Sequence, residues 1–353
     1  MDNAGGGRRG LRATPSLELF QALSDYYGIN CGNEVVDLGG SSNLNLLVCD
    51  ADRRYVLRAY RPYVTEDRLT DIQLVRRELS THGVNCSEII STLSGQPWIV
   101  FDGRLVEVEH YVECDVDMDS WERIKIGLSV LGMIHTILRD VEVSAEAKFP
   151  VFANYIEPHQ AVNKTLQGTR RVREWNPSLA EQRLADAAEE LAYFVSNAER
   201  DLITLLPRQL VHGDFWDNNV FFRGGNVALV ADFDFMGERT RIDDLALTLY
   251  FTCLKFPEYP LSDDYLQRVS ILVDAYDSGL DNPLTSVERA ALPLAIIRQP
   301  LWSIGGWVAL LDDETSARRH AASIGWKVEW ALRIADDIDR WMLAFASPRL
   351  HKY

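Results

Sequence analysis

The feature that most constrains this chain is a change of hydrophobic period along its length. Residues 35–38, 44–48 and 55–60 are short apolar runs. They are separated by Gly39-Gly40-Ser41-Ser42-Asn43 and by a polar turn over residues 50–54. That order reads as strand, glycine turn, strand, turn, strand, an antiparallel meander. A helix is expected before it, over residues 16–27, and another after it, over 65–82, with Leu69, Ile72, Leu74, Val75 and Leu79 apolar. Further strands are expected within residues 88–112. Past residue 117 the period lengthens. Trp121, Ile124, Leu128, Leu131, Ile134 and Leu138 recur at helical spacing. More helices are expected over 179–203, 243–256, 263–279, 286–311 and 314–346. One compact β unit interrupts them, residues 211–222 and 227–235, joined by Arg223-Gly224-Gly225.

The fold class read from this order is α+β. A small antiparallel β lobe (residues 16–112) precedes a larger, mainly helical lobe (113–353), with residues 1–15 as a flexible tail. The 353 residues are 47% hydrophobic and 25% charged, which argues against disorder, collagen or a coiled coil. Thirty-six Lys and Arg stand against 52 Asp and Glu, a formal net charge of −16. A nucleic-acid or anionic-membrane binder must neutralise phosphates with cations, so neither is expected as a partner. Five scattered cysteines without a CxxC spacing give no disulfide framework and no zinc ribbon. Reduced thiols and a cytoplasmic location are expected. The N-terminus has no apolar segment behind its arginines, unlike a signal peptide. The greasiest stretch, 293–311, contains Arg298, Gln299 and Pro300, and is expected to be a buried, broken helix rather than a membrane span.

Chemistry concentrates in the β unit. His212, Asp214 and Asn219 fit H-x-D-x-x-x-x-N, and Asp232 follows within an apolar strand, next to Phe233 and Asp234. An apolar strand ending in Asp is costly unless the carboxylate has a partner, and a divalent cation is the usual one. Phosphoryl transfer needs such a set. Mg²⁺ takes a few hard oxygen ligands plus phosphate oxygens, and a carboxylate beside the acceptor hydroxyl orients it and takes its proton.

The run from His212 through Asn219-Val220 to Ala231-Asp232-Phe233-Asp234, followed by Ile242-Asp243-Asp244-Leu245-Ala246, resembles the aminoglycoside phosphotransferase / choline kinase superfamily. That superfamily has a protein-kinase-like, two-lobed fold, and the layout is similar to its homoserine-kinase-like and antibiotic-kinase-like groups. Leu131-Gly132-Met133-Ile134-His135 is similar to the helix before its catalytic loop. The resemblance implies Asp214 as catalytic base, Asn219 and Asp232 as Mg²⁺ ligands, and Asp234 and His212 in support. It implies that Gly39, Gly40, Ser41 and Ser42 form a turn over the phosphates of ATP, since glycine lets backbone N–H groups approach closely. Arg58 stands at the usual phosphate-gripping lysine position, and Glu78 would pair with it. Glu109 and Tyr111 would belong to the hinge whose backbone meets adenine. Arg in place of Lys departs from the pattern, because a planar fork is not a compact ammonium.

The implied activity is transfer of the γ-phosphoryl group of MgATP to a hydroxyl of a small molecule. The two lobes carry net charges of −4 and −12, and the larger value favours a cationic acceptor such as an aminoglycoside, another antibiotic, an amino alcohol or a homoserine-like metabolite. The rivals are a protein kinase, a non-catalytic nucleotide binder, and a two-metal hydrolase using His212, Asp214, Asp232 and Asp234. His135 is expected to be a satisfied core histidine. Trp302 and Trp307 are expected to pack in the core.

Overall fold

The computed structural model describes residues 12–32, 35–40, 42–149, 154–258, 261–311 and 313–346. Helix α1 (Leu17–Tyr27) starts where the Ser16 side chain accepts from the Leu19 N–H, and stops at Gly28 in a left-handed conformation. Three strands follow, β1 (Val35–Gly39), β2 (Leu44–Asp50) and β3 (Arg53–Ala59), and then helix α2 (Glu66–Thr81), capped by Thr65. Strands β4 (Ile89–Ile90), β5 (Ile99–Phe101) and β6 (Arg104–His110) complete an antiparallel sheet in the order β1-β2-β3-β6-β4, with β5 also paired to β6. The alternating Leu44, Leu46 and Val48 of β2 and Leu57 of β3 point to one face. There they bury against Leu19, Leu23 and Tyr27 of α1 in a small separate core. Helix α2 buries Leu69, Ile72, Val75 and Leu79 in the other, larger core.

Strand β7 (Val116–Asp117) crosses toward the second half and pairs with β9. Helices α3 (Trp121–Leu138), α4 (Ala145–Lys148), α5 (Ala161–Glu174) and α6 (Leu179–Glu199) lead to the compact β segment. That segment comprises β8 (Arg208–Val211), β9 (Val220–Arg223), β10 (Asn226–Val230) and β11 (Gly237–Thr240), with a single 3-10 turn, Phe233–Phe235, between the last two. Strand β11 pairs antiparallel with β8 and β10 with β9. The chain ends with α7 (Arg241–Lys255), α8 (Asp263–Ser278), α9 (Ser286–Trp302), α10 (Glu314–Ala335) and α11 (Ile338–Phe345).

The two-lobed α+β reading holds, with differences of detail. Helix α5 was not anticipated, because its buried positions are small or weakly apolar: Ala161, Thr165, Gly168, Thr169 and Val172. The expected helix over 286–311 is α9 followed by a π-helical stretch, Ser303–Val308. The expected helix over 314–346 is two, α10 and α11. Strands β7 and β11 are additional, and both are set by pairing rather than by hydrophobic pattern. The tail over residues 1–15 falls mostly outside the described residues. Among the described residues no helix is long and apolar enough to cross a membrane, and the five cysteines are free thiols.

Candidate active site

Strand β8 delivers the chain to His212, whose ring is wholly buried. Its Nδ1 accepts the Asp214 N–H at 3.2 Å and its Nε2 donates to the Ala231 carbonyl at 3.1 Å. Burial holds the ring near a pKa of about 4, so it stays neutral and stitches the loop to the strand below. Both nitrogens are therefore engaged with backbone, which removes the histidine from the two-metal hydrolase reading. Gly213 has φ +85°, and a Cβ there would overlap the Phe235 carbonyl, so only glycine fits. The turn aims Asp214 into a cavity of about 620 Å³ between the lobes. Asp214 Oδ1 accepts from Asn154 Nδ2 at 2.6 Å, and Oδ2 accepts from Asn219 Nδ2 at 2.9 Å. Burial, and then the nearby Asp232 charge, push the Asp214 carboxyl up to about 7. Asn219 spends its amide N–H groups on the backbone and side chain of Asp214, which leaves its carbonyl oxygen for the cavity.

Asp232 does not lie within an apolar strand as expected: β10 stops at Val230, and Asp232 caps the 3-10 turn in a left-handed conformation, φ +63°, ψ +70°. A non-glycine residue is held there only when its surroundings over-determine it, and functional sites are where such strain collects. Asp234 follows on the 3-10 turn and is 1% exposed. Its Oδ2 accepts from Asn43 Nδ2 at 2.5 Å. Burial first, and Asp232 second, raise the Asp234 carboxyl above its usual range. Asp234 Oδ1 is buried without a hydrogen-bond partner, and the buried Asp232 Oδ1 is met only by the Arg58 guanidinium, an ion pair at 3.3 Å. Two such oxygens beside the free Asn219 carbonyl suit a hard cation with oxygen ligands. No group of three or more His, Cys, Asp or Glu side chains among the described residues forms a metal site by itself, so the remaining ligands would come from phosphate or water.

From the sheet above, Arg58 on β3 reaches Asp232 at 3.3 Å and Glu109 at 3.8 Å. Arg76 on α2 joins Glu107 at 2.8 Å and Glu109 at 3.0 Å, and also donates to the Ser87 carbonyl at 2.7 Å. Tyr60 and Gln73 donate to Glu107, at 2.6 and 2.8 Å. Burial works against the ionised Glu109, but Arg76 and Arg58 outweigh it and hold its carboxyl down near about 2. The β1–β2 turn closes the roof. Gly40 has φ +114°, and a Cβ there would sit 2.8 Å from the Asn43 carbonyl oxygen.

Gly39, Gly40, Ser42, Arg58, Glu109, Tyr111, Asp214, Asn219, Asp232 and Asp234 thus all line one cavity. His212 supports it from beneath. Ser41 lies outside the described residues. Glu78 does not join: it is half-buried on α2, and no ion pair among the described residues links it to Arg58. The carboxylate that meets Arg58 from this lobe is Glu109, on β6. The Tyr111 N–H already donates to the Arg54 carbonyl at 3.2 Å. Trp302 and Trp307 are not simply core, because both line the cavity, with Trp216, Phe251 and His320 beside them. His135 is indeed satisfied, Nδ1 against the Tyr276 hydroxyl at 2.7 Å and Nε2 against Asp244 at 3.1 Å. Sequence reading missed Asn43, Asn154 and Arg76. Asn43 alone carried a signal, as the last residue of the glycine turn.

The model of the phosphotransferase enzyme family matches residues 35–269. A homoserine kinase of Methylobacterium nodulans is 26% identical over 308 residues, covering 83% of this chain and 87% of that one. Among solved structures, amicoumacin kinase in complex with AMP-PNP, Ca²⁺ and Ami superposes with a TM-score of 0.61 at 16% identity, covering 88% of this chain and 93% of that one. The microcompartment-associated aminopropanol kinase gives 0.61 at 16% identity, covering 91% and 98%. The two superpositions establish the shared kinase-like fold.

Proposed function

The chain belongs to the phosphotransferase enzyme family, and on that premise we propose that this small-molecule kinase moves the γ-phosphoryl group of MgATP to an alcohol, with Asp214 as the base. The single observation that carries the reading is the convergence of Asp214, Asn219 and Asp232 on one cavity, with the buried Asp234 Oδ1 lacking a hydrogen-bond partner and Asp232 Oδ1 met only by the Arg58 guanidinium at 3.3 Å. A non-catalytic nucleotide binder has no use for a buried Asp214 held by two amides.

Asp232 and the Asn219 carbonyl, with Asp234 behind them, would hold Mg²⁺, which would neutralise charge on the phosphates. Arg58, kept in place by Glu109, grips phosphate through its fork. The glycine turn offers backbone N–H groups from above. Asp214 orients the acceptor hydroxyl and takes its proton as the new O–P bond forms and the bond from Pγ to the ADP oxygen breaks. Asn154 and Asn219 hold the carboxylate in line, so that rate comes from alignment and charge placement. The adenine edge is placed along Tyr111 and Val112. The relatives are named for homoserine, aminopropanol and amicoumacin, and a small-molecule alcohol is the acceptor class they support. A cytoplasmic location accords with ATP as donor.

The test is a coupled ADP-release screen over hydroxy amino acids, amino alcohols and antibiotics. Products are analysed by mass spectrometry for one added phosphoryl group. Acceptor-dependent ADP release with a phosphorylated product is expected. ATP binding without transfer to any alcohol contradicts the reading.

A further inference from the structure

We propose that Arg61 is a second phosphate-binding arginine of the catalytic cavity, and that its unspent guanidinium N–H meets a γ-oxygen of the phosphoryl group during transfer. The inference rests on the phosphotransfer reading above and adds a residue to it. Arg61 follows β3 by two positions and lines the same cavity as Asp214, Asp232 and Asp234. It is 3% exposed, and a guanidinium keeps its charge in a protein. A buried charge is costly unless it is paired and its donors are used.

Contacts within the chain leave part of that demand unmet. Nη2 donates to the Asp234 carbonyl at 3.2 Å, and the guanidinium lies over the Phe235 ring, 4.3 Å from its centroid. Stacking on a ring leaves the in-plane N–H groups able to donate. Nη1 is buried and has no hydrogen-bond partner. No ion pair among the described residues joins Arg61 to a carboxylate, although its charge works on Asp234, where it opposes the upward push of burial and Asp232. The backbone is fixed as well. The Arg61 N–H donates to Asn43 Oδ1 at 2.9 Å, and Asn43 donates to Asp234 Oδ2. An unspent donor on a fixed cation, close to the equally unspent Asp234 Oδ1, suits a metal-bound anion: the metal to the carboxylate, an anionic oxygen to the guanidinium.

The neighbouring arginines are already committed. Arg68 donates to the carbonyls of Glu146, Ala147, Asp234 and Met236, and Arg239 to that of Phe235. Neither lines the catalytic cavity. Arg58 does, but its charge is shared between Asp232 and Glu109 before any nucleotide arrives. The two cavity arginines therefore divide the work. Arg58 holds phosphate in the bound nucleotide. During transfer the acceptor oxygen bonds to Pγ, its proton passes to Asp214, and the bond from Pγ to the ADP oxygen breaks with its electron pair leaving on ADP. The γ-oxygens stay negative throughout, and Arg61, with no carboxylate to offset it directly, stabilises that charge from a position set in advance.

The full chain, Arg61→Gln and Arg61→Lys are compared in two ways. Steady-state kinetics use the best acceptor of the screen above. Thermal-shift titration uses MgADP alone and MgADP with aluminium fluoride, a mimic of the phosphoryl group in transfer. Arg61→Gln is expected to lower kcat about 10²- to 10³-fold, the range of one lost preorganised donor, with the KM for ATP held within about threefold. MgADP alone should stabilise all three chains alike. The further rise in melting temperature on adding fluoride should vanish in Arg61→Gln and survive in part in Arg61→Lys, which keeps the charge without the fork. A role confined to bracing the Asp234 turn would lower the melting temperature of the free protein and leave the fluoride increment intact. That result overturns the inference, as does an unchanged kcat. Since a buried arginine can be required for folding, the unaltered chain is also crystallised with MgADP and aluminium fluoride. Arg61 Nη1 is expected at hydrogen-bond distance from a fluorine, about 3 Å, and a separation beyond about 4 Å overturns the inference. Transfer to an alcohol at the parent rate by Arg61→Gln would sink this inference and keep the kinase reading. Arg61-dependent fluoride binding with no alcohol phosphorylated would do the opposite.

Discussion

Asn43 Nδ2 donates to Asp234 Oδ2 at 2.5 Å, joining the glycine turn of the small lobe to the 3-10 turn after β10 in the large one across 191 residues of chain. The other end of the same amide accepts the Arg61 N–H at 2.9 Å. One side chain therefore sets the height of the glycine turn over the carboxylates. Asn43→Leu keeps the volume but strands a buried carboxylate and a buried N–H. Each orphaned group costs about 1–3 kcal/mol, more where it is charged. Urea denaturation should register the loss, and the KM for ATP should rise as the roof drifts.

Arg58 bridges Asp232 and Glu109. Arg58→Met leaves Glu109 with Arg76 but leaves Asp232 facing Asp214 and Asp234 without its cation. The KM for ATP is expected to rise about ten- to hundredfold, in keeping with the loss of a charge-assisted phosphate contact. Arg58→Lys should recover part of this but not all, because an ammonium cannot span both carboxylates as a fork does.

The pH dependence follows from Asp214. Burial, then Asp232, raise its carboxyl to about 7. As a base it must be ionised, so kcat/KM falls about tenfold per pH unit below that value and levels off above it. His212, held near about 4 by burial, adds no second limb near neutrality. Asn154 donates to the ionised carboxylate and lowers its pKa. Asn154→Ala therefore moves the acid limb to higher pH, which a pH–rate profile checks. A shift to lower pH would contradict the assignment.

Behind the acceptor wall Arg298 ties three segments together. Its Nε meets Glu199 at 3.0 Å, its Nη1 donates to the Ile156 carbonyl at 2.8 Å, and its Nη2 meets Asp243. Arg298→Met leaves two buried carboxylates without their cation, at a cost of about 3–5 kcal/mol. Trp302 lies one turn further along α9, so residual folded protein should also show a raised KM for the acceptor. Chemical denaturation beside acceptor kinetics separates the two effects.

Much of the site was legible because phosphoryl transfer demands particular residue types at short spacing. His212, Asp214, Asn219 and Asp232 lie within one strand–loop–strand unit, where sequence distance and spatial distance agree. Arg58 came from the family resemblance, which sets it at the phosphate-gripping position on the third strand of the meander. Legibility failed where partners are far apart in sequence. Glu78 looked apt on α2, yet the helix turns Arg68, Gln73 and Arg76 inward, and Glu109 supplies the carboxylate from β6. Nothing local marks Asn43 or Asn154 as partners of Asp234 and Asp214. Trp302 and Trp307 share a pattern with core residues, and the π-helical deformation that accompanies their place at the cavity wall leaves no trace in hydrophobic period. Helix α5 escaped because it packs through Gly168 and Thr169 rather than through large apolar side chains.

The central claim is that Asp214 activates the acceptor while other groups hold the nucleotide. It is tested most directly by comparing Asp214→Asn with the parent chain for both ATP binding and phosphoryl transfer to the best acceptor. The substitution is isosteric and keeps the loop packed. ATP affinity should stay within about twofold, and turnover should fall by about 10²–10⁴, the range of a general base. Full turnover in Asp214→Asn would contradict the account.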